Sequence, residues 1–251
     1  MSEDARAPKL LVIDIENSPL VAYSWGPMHD TNLIKVLEES VILSFSAKWL
    51  GGKQVTLGLN TLDEKELLLK IRSMLDEAEI VTGHNSIAFD IKKIYARFLI
   101  YDIPPPSPFK QVDTYRESRK ILLAASHKLD YLGKYLGIGE KMHHEGFELW
   151  QKCMDGDEAA WRRMLKYNAQ DVRLTERLYL KLRPYMTNHP VVGVFLEEDD
   201  VCPKCGSKNL ERRGYARTAA AVYGRFQCQD CAGWGRYSKN ERRIKTTRNI
   251  T

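Results

Sequence analysis

The sequence predicts an α/β domain built on a mixed sheet, with a small β-rich domain behind it. Apolar strand-like runs fill the first 60 residues, strand and helix patterns then alternate, and from Asp157 a long helical stretch has no Gly or Pro before Pro184. Near the end, four cysteines stand in two pairs, "CPKC" and "CQDC". With 251 residues, 43% hydrophobic and 28% charged, the chain can bury one sizeable core and carry an appendage.

"LLVIDIENSP", residues 10–19, begins as a strand apolar on both faces. Residues i and i+2 of a strand share a face, so Asp14 and Glu16 sit side by side while Ile13 and Ile15 pack opposite. Adjacent buried carboxylates lose hydration and repel, so something positive is expected beside them. "LVAYSWG", "VILSFSAKWL" and "QVTLGL" continue as an antiparallel meander, with Gly51-Gly52 turning the last pair. Thr61 and Glu64 form a capping box ahead of "LLLKIRSML". "AEIVTGHN" is a short strand leading into the helix "IKKIYARFLIY", and the prolines of "IPPPSPF" demand a loop. "QVDTYRESRKILL" reads as strand passing into helix, with Asp113 as its cap, and Ser126 is an N-cap for "KLDYLGKYLGI". Cys153 is a helix residue and "DGD" at 155–157 a turn before the long helix. The expected division is an α/β domain over 1–186, a linker over 187–200 in which "VVGVFL" reads alternatively as an edge strand, a cysteine-bearing domain over 201–240 and a basic tail over 241–251.

Charge is uneven. From Val201 onward there are 12 Lys+Arg against 3 Asp+Glu, a net of +9, while residues 1–200 carry −4. A basic end on a mildly acidic body suggests a polyanionic partner, nucleic acid first. The start "MSEDARAPK" has no signal-peptide core and no run approaches 18 apolar residues, so a cytoplasmic protein without a membrane partner is expected.

Acids gather in three segments: Asp14 and Glu16 in "DIE", Asp90 at the strand-to-helix junction of "HNSIAFD", and Asp171 of "YNAQD", four residues and so one helix face from Tyr167. In this order the segments resemble the motifs of the DEDD superfamily of 3′-to-5′ exonucleases, whose fold is ribonuclease H-like, over roughly residues 8–186. Tyr, three residues, Asp indicates the tyrosine subgroup; where the histidine subgroup has its His, this chain has Lys166. The resemblance implies that Asp14, Glu16, Asp90 and Asp171 bind two Mg²⁺ or Mn²⁺ and that Tyr167 positions water. Four carboxylates are the hard oxygen ligands such ions prefer, and paired cations suit phosphodiester hydrolysis. His84 and Asn85 flank the second motif, where they either touch a terminal nucleotide or only turn the chain. Trp25 either stacks on a base or packs.

Cys202, Cys205, Cys228 and Cys231 have the spacing of a structural Zn²⁺ site that closes the tetrahedron, and Gly206 permits a positive φ after the first pair. Around them Arg212, Arg213, Arg217, Arg225 and Arg236 interleave with Tyr215, Tyr223, Phe226, Trp234 and Tyr237, a mixture suited to phosphates and unpaired bases. The whole reads as a metal-dependent 3′-5′ exonuclease acting on nucleic acid, single-stranded or 3′-ended DNA ahead of RNA, with a zinc ribbon that aids binding. A structure-specific endonuclease and a catalytically silent adaptor are the alternatives. Nucleases with appended ribbons look similar to bacteriophage-encoded ones, for which the compartment would be a host cytoplasm. Oligomeric state is left open.

Overall fold

Leu11, Ile13 and Ile15 alternate with Val12, Asp14 and Glu16 along the first strand, and this parity decides what each face of the sheet meets. The computed structural model describes residues 8–25, 33–60 and 63–243 and divides into two compact units, Lys9–Leu178 and a second containing Tyr179 onward. In the first unit β1 (Leu10–Asn17) pairs antiparallel with β4 (Ile42–Trp49), which pairs antiparallel with β5 (Thr56–Leu59). On its other edge β1 runs parallel to β6 (Ile80–Gly83), and β6 parallel to β7 (Lys110–Asp113), giving the order β5-β4-β1-β6-β7. Parallel neighbours need crossovers, and helices α1 (Glu64–Glu77) and α2 (Asp90–Ile100) provide them.

Those helices cover one face, where Leu11, Ile13, Ile15 and Phe45 pack against Leu68 and Ile71 of α1 and Ile94 and Phe98 of α2. A register slip between β1 and β4 leaves Leu43 unpaired, a bulge that turns it to the second face. There it meets Leu149 and Cys153 of α5 (Phe147–Met154) and Met164 and Tyr167 of α6 (Glu158–Leu182). Cys153 is thus a buried helix residue. Helices α3 (Thr114–Ile121) and α4 (Leu129–Tyr135) follow β7. Asp113 caps α3 by accepting from the Tyr115 and Arg116 N–H groups, and Asp157 caps α6 through Ala159 and Ala160.

Several expectations change. "LVAYSWG" does not join the main sheet: β2 (Val21–Tyr23) pairs only with β3 (Lys35–Glu38), and neither strand has a buried face. Thr61 lies outside the described residues, and α1 is capped by Asp63, which accepts from the Lys65 N–H. Glu64 is buried instead, accepting from the Ile42 N–H and pairing with Arg97. Ser126 accepts from the Lys128 N–H, but α4 starts only at Leu129, so Ser126 is a turn residue.

The second unit begins inside α6 rather than after residue 186, because Tyr179 shares a hydrogen bond with His189 and Lys204 donates to the Pro184 carbonyl. Residues 187–200 are not a free linker: Val192–Leu196 forms a short helix, α7, with Val192 buried and its N–H donated to the Pro203 carbonyl. "VVGVFL" is therefore no strand. Beyond it β8 (Leu210–Arg217), β9 (Ala221–Cys228) and β10 (Trp234–Arg243) form an antiparallel sheet in the order β10-β9-β8. Residues 241–243 of the expected tail belong to β10, and 244–251 lie outside the described residues. Among the described residues no helix is long and apolar enough to cross a membrane.

Candidate active site

Strand parity sends Asp14 and Glu16 to the face that α6 covers, at the C-terminal end of β1. Asp171 reaches them from α6, and one oxygen from each of the three lies within 4.8 Å of the others. Asp90 is outside that trio but joins it: its Oδ1 accepts from the N–H of Ile15, between Asp14 and Glu16, at 3.2 Å. Asn168 donates from Nδ2 to Asp14 Oδ2 at 2.7 Å, and its carbonyl accepts from Ser46 Oγ, tying α6 to β1 and β4.

Burial, then Glu16, Asp90 and Asp171, hold the Asp14 carboxyl well above the usual range. Glu16 is pushed up to about 8, by burial first and Asp171 next. Burial raises Asp90 to about 6, although the Ile15 N–H opposes it. Burial also raises Asp171 against the pull of Lys141.

Lys141 is the cation at this site. Its ammonium lies 2.6 Å from Asp171 Oδ2 and donates to the Tyr167 hydroxyl at 2.7 Å. Burial works against its charge, but Asp171 and the Tyr167 oxygen hold its pKa above the ordinary value. The loop bearing Lys141 is fixed by Asp130, which accepts the Lys141 N–H, and by Gln170, which donates to the Glu140 carbonyl. Tyr167 is raised by burial and by Asp171, and its ring packs edge-on to His144 and Trp150, with centroids 4.7 and 6.0 Å away. Asp171 Oδ1 is buried with no hydrogen-bond partner. An orphaned oxygen among clustered hard donors is what a divalent cation such as Mg²⁺ or Mn²⁺ satisfies.

A cleft of ≈ 470 Å³ opens beside Glu16, walled by Asn17, Phe89, His144, Phe147 and Trp150. Phe89 and Phe147 are each 54% exposed, so their rings are available to a flat ligand, and the Asn17 amide is buried there without a partner. Both ring nitrogens of His84 are engaged within the fold, Nδ1 with Thr114 and Nε2 with the His127 carbonyl, and burial lowers its pKa to about 4. Asn85 turns the chain at φ 68°, its N–H held by Asp113, which also holds that of Ile87. Next to it Gly83 must lack a side chain, since a Cβ would lie 2.6 Å from Ser86 Cβ and 2.9 Å from the Ile13 carbonyl oxygen. Trp25 neither packs nor lines the cleft; it is 94% exposed just past β2.

In the second unit the sulfurs of Cys202, Cys205, Cys228 and Cys231 lie within 4.8 Å of one another, with no disulfide. Two of the separations are 3.7 and 3.6 Å. A tetrahedron with metal–sulfur bonds of about 2.3 Å has edges of about 3.8 Å, so the cluster suits Zn²⁺ and is compatible with a zinc ribbon. Gly206 adopts φ +79°, where a Cβ would also lie 2.8 Å from Leu196 Cδ1.

A mixed sheet flanked by helices, with carboxylates converging at the end of its central strand, defines the ribonuclease H-like class. The chain belongs to the RNase_H superfamily: the RNase_H_2 family model matches residues 38–183. Among solved structures the chain is similar to the family B DNA polymerase from the hyperthermophilic archaeon Pyrobaculum calidifontis, with a TM-score of 0.54 and 16% identity. The match covers 88% of this chain and 33% of that one, so the chain spans about a third of the polymerase's length. No curated protein matches the sequence. Membership of this superfamily supports nuclease activity in general.

Proposed function

We propose that the chain is a metal-dependent 3′-5′ exonuclease of the tyrosine subgroup that hydrolyses nucleic acid, DNA ahead of RNA. The observation that carries this reading is the meeting of Asp14, Glu16 and Asp171 within 4.8 Å around an orphaned Asp171 oxygen, beside Tyr167. With Asp90 they would hold two Mg²⁺ or Mn²⁺, which when bound supply Lewis-acid activation of water and neutralise charge on the phosphate. Tyr167 keeps its proton at neutral pH, so it serves as a hydrogen-bond partner that aims the attacking water rather than as a base. Lys141 fixes that hydroxyl and offers positive charge to the phosphate. The aromatic cleft beside Glu16 takes the terminal base, with Phe89 and Phe147 as stacking surfaces. Zn²⁺ on the four cysteines folds a ribbon whose basic strands add affinity that the −4 body lacks.

The test uses 5′-labelled DNA and RNA oligonucleotides with Mg²⁺ or Mn²⁺, each with a free or blocked 3′ end, beside Asp14→Ala. A ladder that needs the free end and vanishes in the variant is expected. A discrete internal product would make the chain an endonuclease, and no metal-dependent cleavage would leave it an adaptor.

A further inference from the structure

In the second unit, β9 alternates: Gly224, Phe226 and Cys228 are buried, while Tyr223, Arg225 and Gln227 point the other way. Trp234 of β10 stands opposite Gln227 and Arg236 opposite Arg225, so Trp234 and Arg236 share that outer face. There the Arg236 guanidinium lies 3.8 Å from the Tyr223 ring centroid and that of Arg225 4.8 Å from the Trp234 centroid. The inner face is filled: Tyr237 packs on Phe226, and a Cβ on Gly235 would lie 2.4 Å from the Phe226 ring.

The arginines of the ribbon are not equivalent. Arg212 is held by both oxygens of Glu241 and Arg213 by Glu211. Arg225 and Arg236 have no carboxylate partner among the described residues, and each donates only to a backbone carbonyl, of Arg213 and Tyr237 respectively. They are also direct cross-strand partners, a pairing of like charges that works against the sheet. A guanidinium has five N–H donors, so most of theirs are unspent. An anion between them would relieve the repulsion and use those donors.

The geometry points to a binding platform for one unpaired nucleic-acid strand on the outer face of β9 and β10, with phosphates at Arg225 and Arg236 and bases on Trp234 and Tyr223. The platform deepens the exonuclease reading and rests on it for the choice of partner; the net +9 from residue 201 onward supplies the matching charge. Bases in a duplex are stacked on one another and cannot lie on a protein ring, so the face favours a single strand.

Fluorescence anisotropy of a 5′-labelled oligodeoxynucleotide, with the full chain and no added Mg²⁺ or Mn²⁺, tests this. Arg225→Gln with Arg236→Gln should weaken single-strand binding at least about tenfold and flatten the salt dependence by about 1.4 in log–log slope, for two phosphates at about 0.7 each. Tyr223→Ala with Trp234→Ala should weaken it at least about fivefold with the slope kept and duplex binding unaltered. Arg212→Gln with Arg213→Gln removes the same charge from arginines already held by carboxylates and should weaken binding by no more than about twofold. Bound zinc, measured colorimetrically, verifies that each variant is folded. The platform is overturned if the zinc-loaded Arg225/Arg236 variant binds like the parent, or if the Arg212/Arg213 control loses as much. A protein that binds as described yet never cleaves with either metal sinks the exonuclease reading alone.

Discussion

Lys141 Nζ and Asp171 Oδ2 stand 2.6 Å apart, and the same ammonium holds the Tyr167 hydroxyl. One lysine therefore answers the charge of the carboxylate cluster and aims the phenol. Lys141→Met should destabilise the metal-free protein by about 2 kcal/mol in urea denaturation. That is below the usual loss for breaking a buried pair, because the Lys141 side chain is 31% exposed. kcat should fall by about ten- to a hundredfold with KM little changed, since the hydroxyl loses its anchor.

The carboxylates make metal-free stability fall as pH rises. Glu16 ordinarily ionises near 4.5 but is pushed up to about 8 in the folded chain. Between those values the folded state holds a proton that the unfolded state has released, so raising pH favours unfolding, and the loss levels off above about 8. Urea midpoints should decline from pH 5 to pH 8, and Mg²⁺ should raise them most at pH 8. Asp14→Asn, which removes one repelling charge, should be more stable than the parent without metal and gain little from Mg²⁺.

Tyr167→Phe separates positioning from packing. The ring contacts with His144 and Trp150 survive, so the melting temperature should stay near that of the parent. kcat should drop by about ten- to a hundredfold, and because the phenol does not ionise near neutrality, the pH–rate profile below pH 9 should keep its shape. A rise in rate with pH that disappears with the hydroxyl would show that Tyr167 acts as a base.

Cys205→Ser should release the zinc and unfold the β8–β10 sheet, seen as lost far-ultraviolet β signal and lost bound metal. Cleavage at saturating oligonucleotide should persist while KM rises. An equal loss of kcat would mean that the cysteine cluster supports the carboxylate site itself.

The two pairs within the cluster were legible because strand parity and helix spacing are local rules, Asp14 with Glu16 and Tyr167 with Asp171, whereas their meeting was implied only by the resemblance to the DEDD exonucleases. Lys141 was not legible, since "EKMHHEG" has no periodicity and its loop is fixed by Asp130, 11 positions before Lys141, and by Gln170, 30 positions after Glu140. Asn168 lay inside a quoted motif, three residues and so one helix face from Asp171, and that spacing could have found it. For His84 the place beside the second motif could not choose between a nucleotide contact and a turn, because its nitrogens are spent on Thr114 and His127, 30 and 43 positions on. The strand after β1 forms but stays out of the main sheet, having no buried face, and the boundary expected at 186 ignored the bonds of Tyr179 and Lys204.

Asn168 and Asp14 touch across 154 residues of chain. Contacts so distant in sequence close late, after the local helices and the central strands have formed. During synthesis, Asp14 and Glu16 emerge long before the helix that completes their company. The half-built chain therefore carries two of the clustered carboxylates without the third, and the site is completed only when α6 docks.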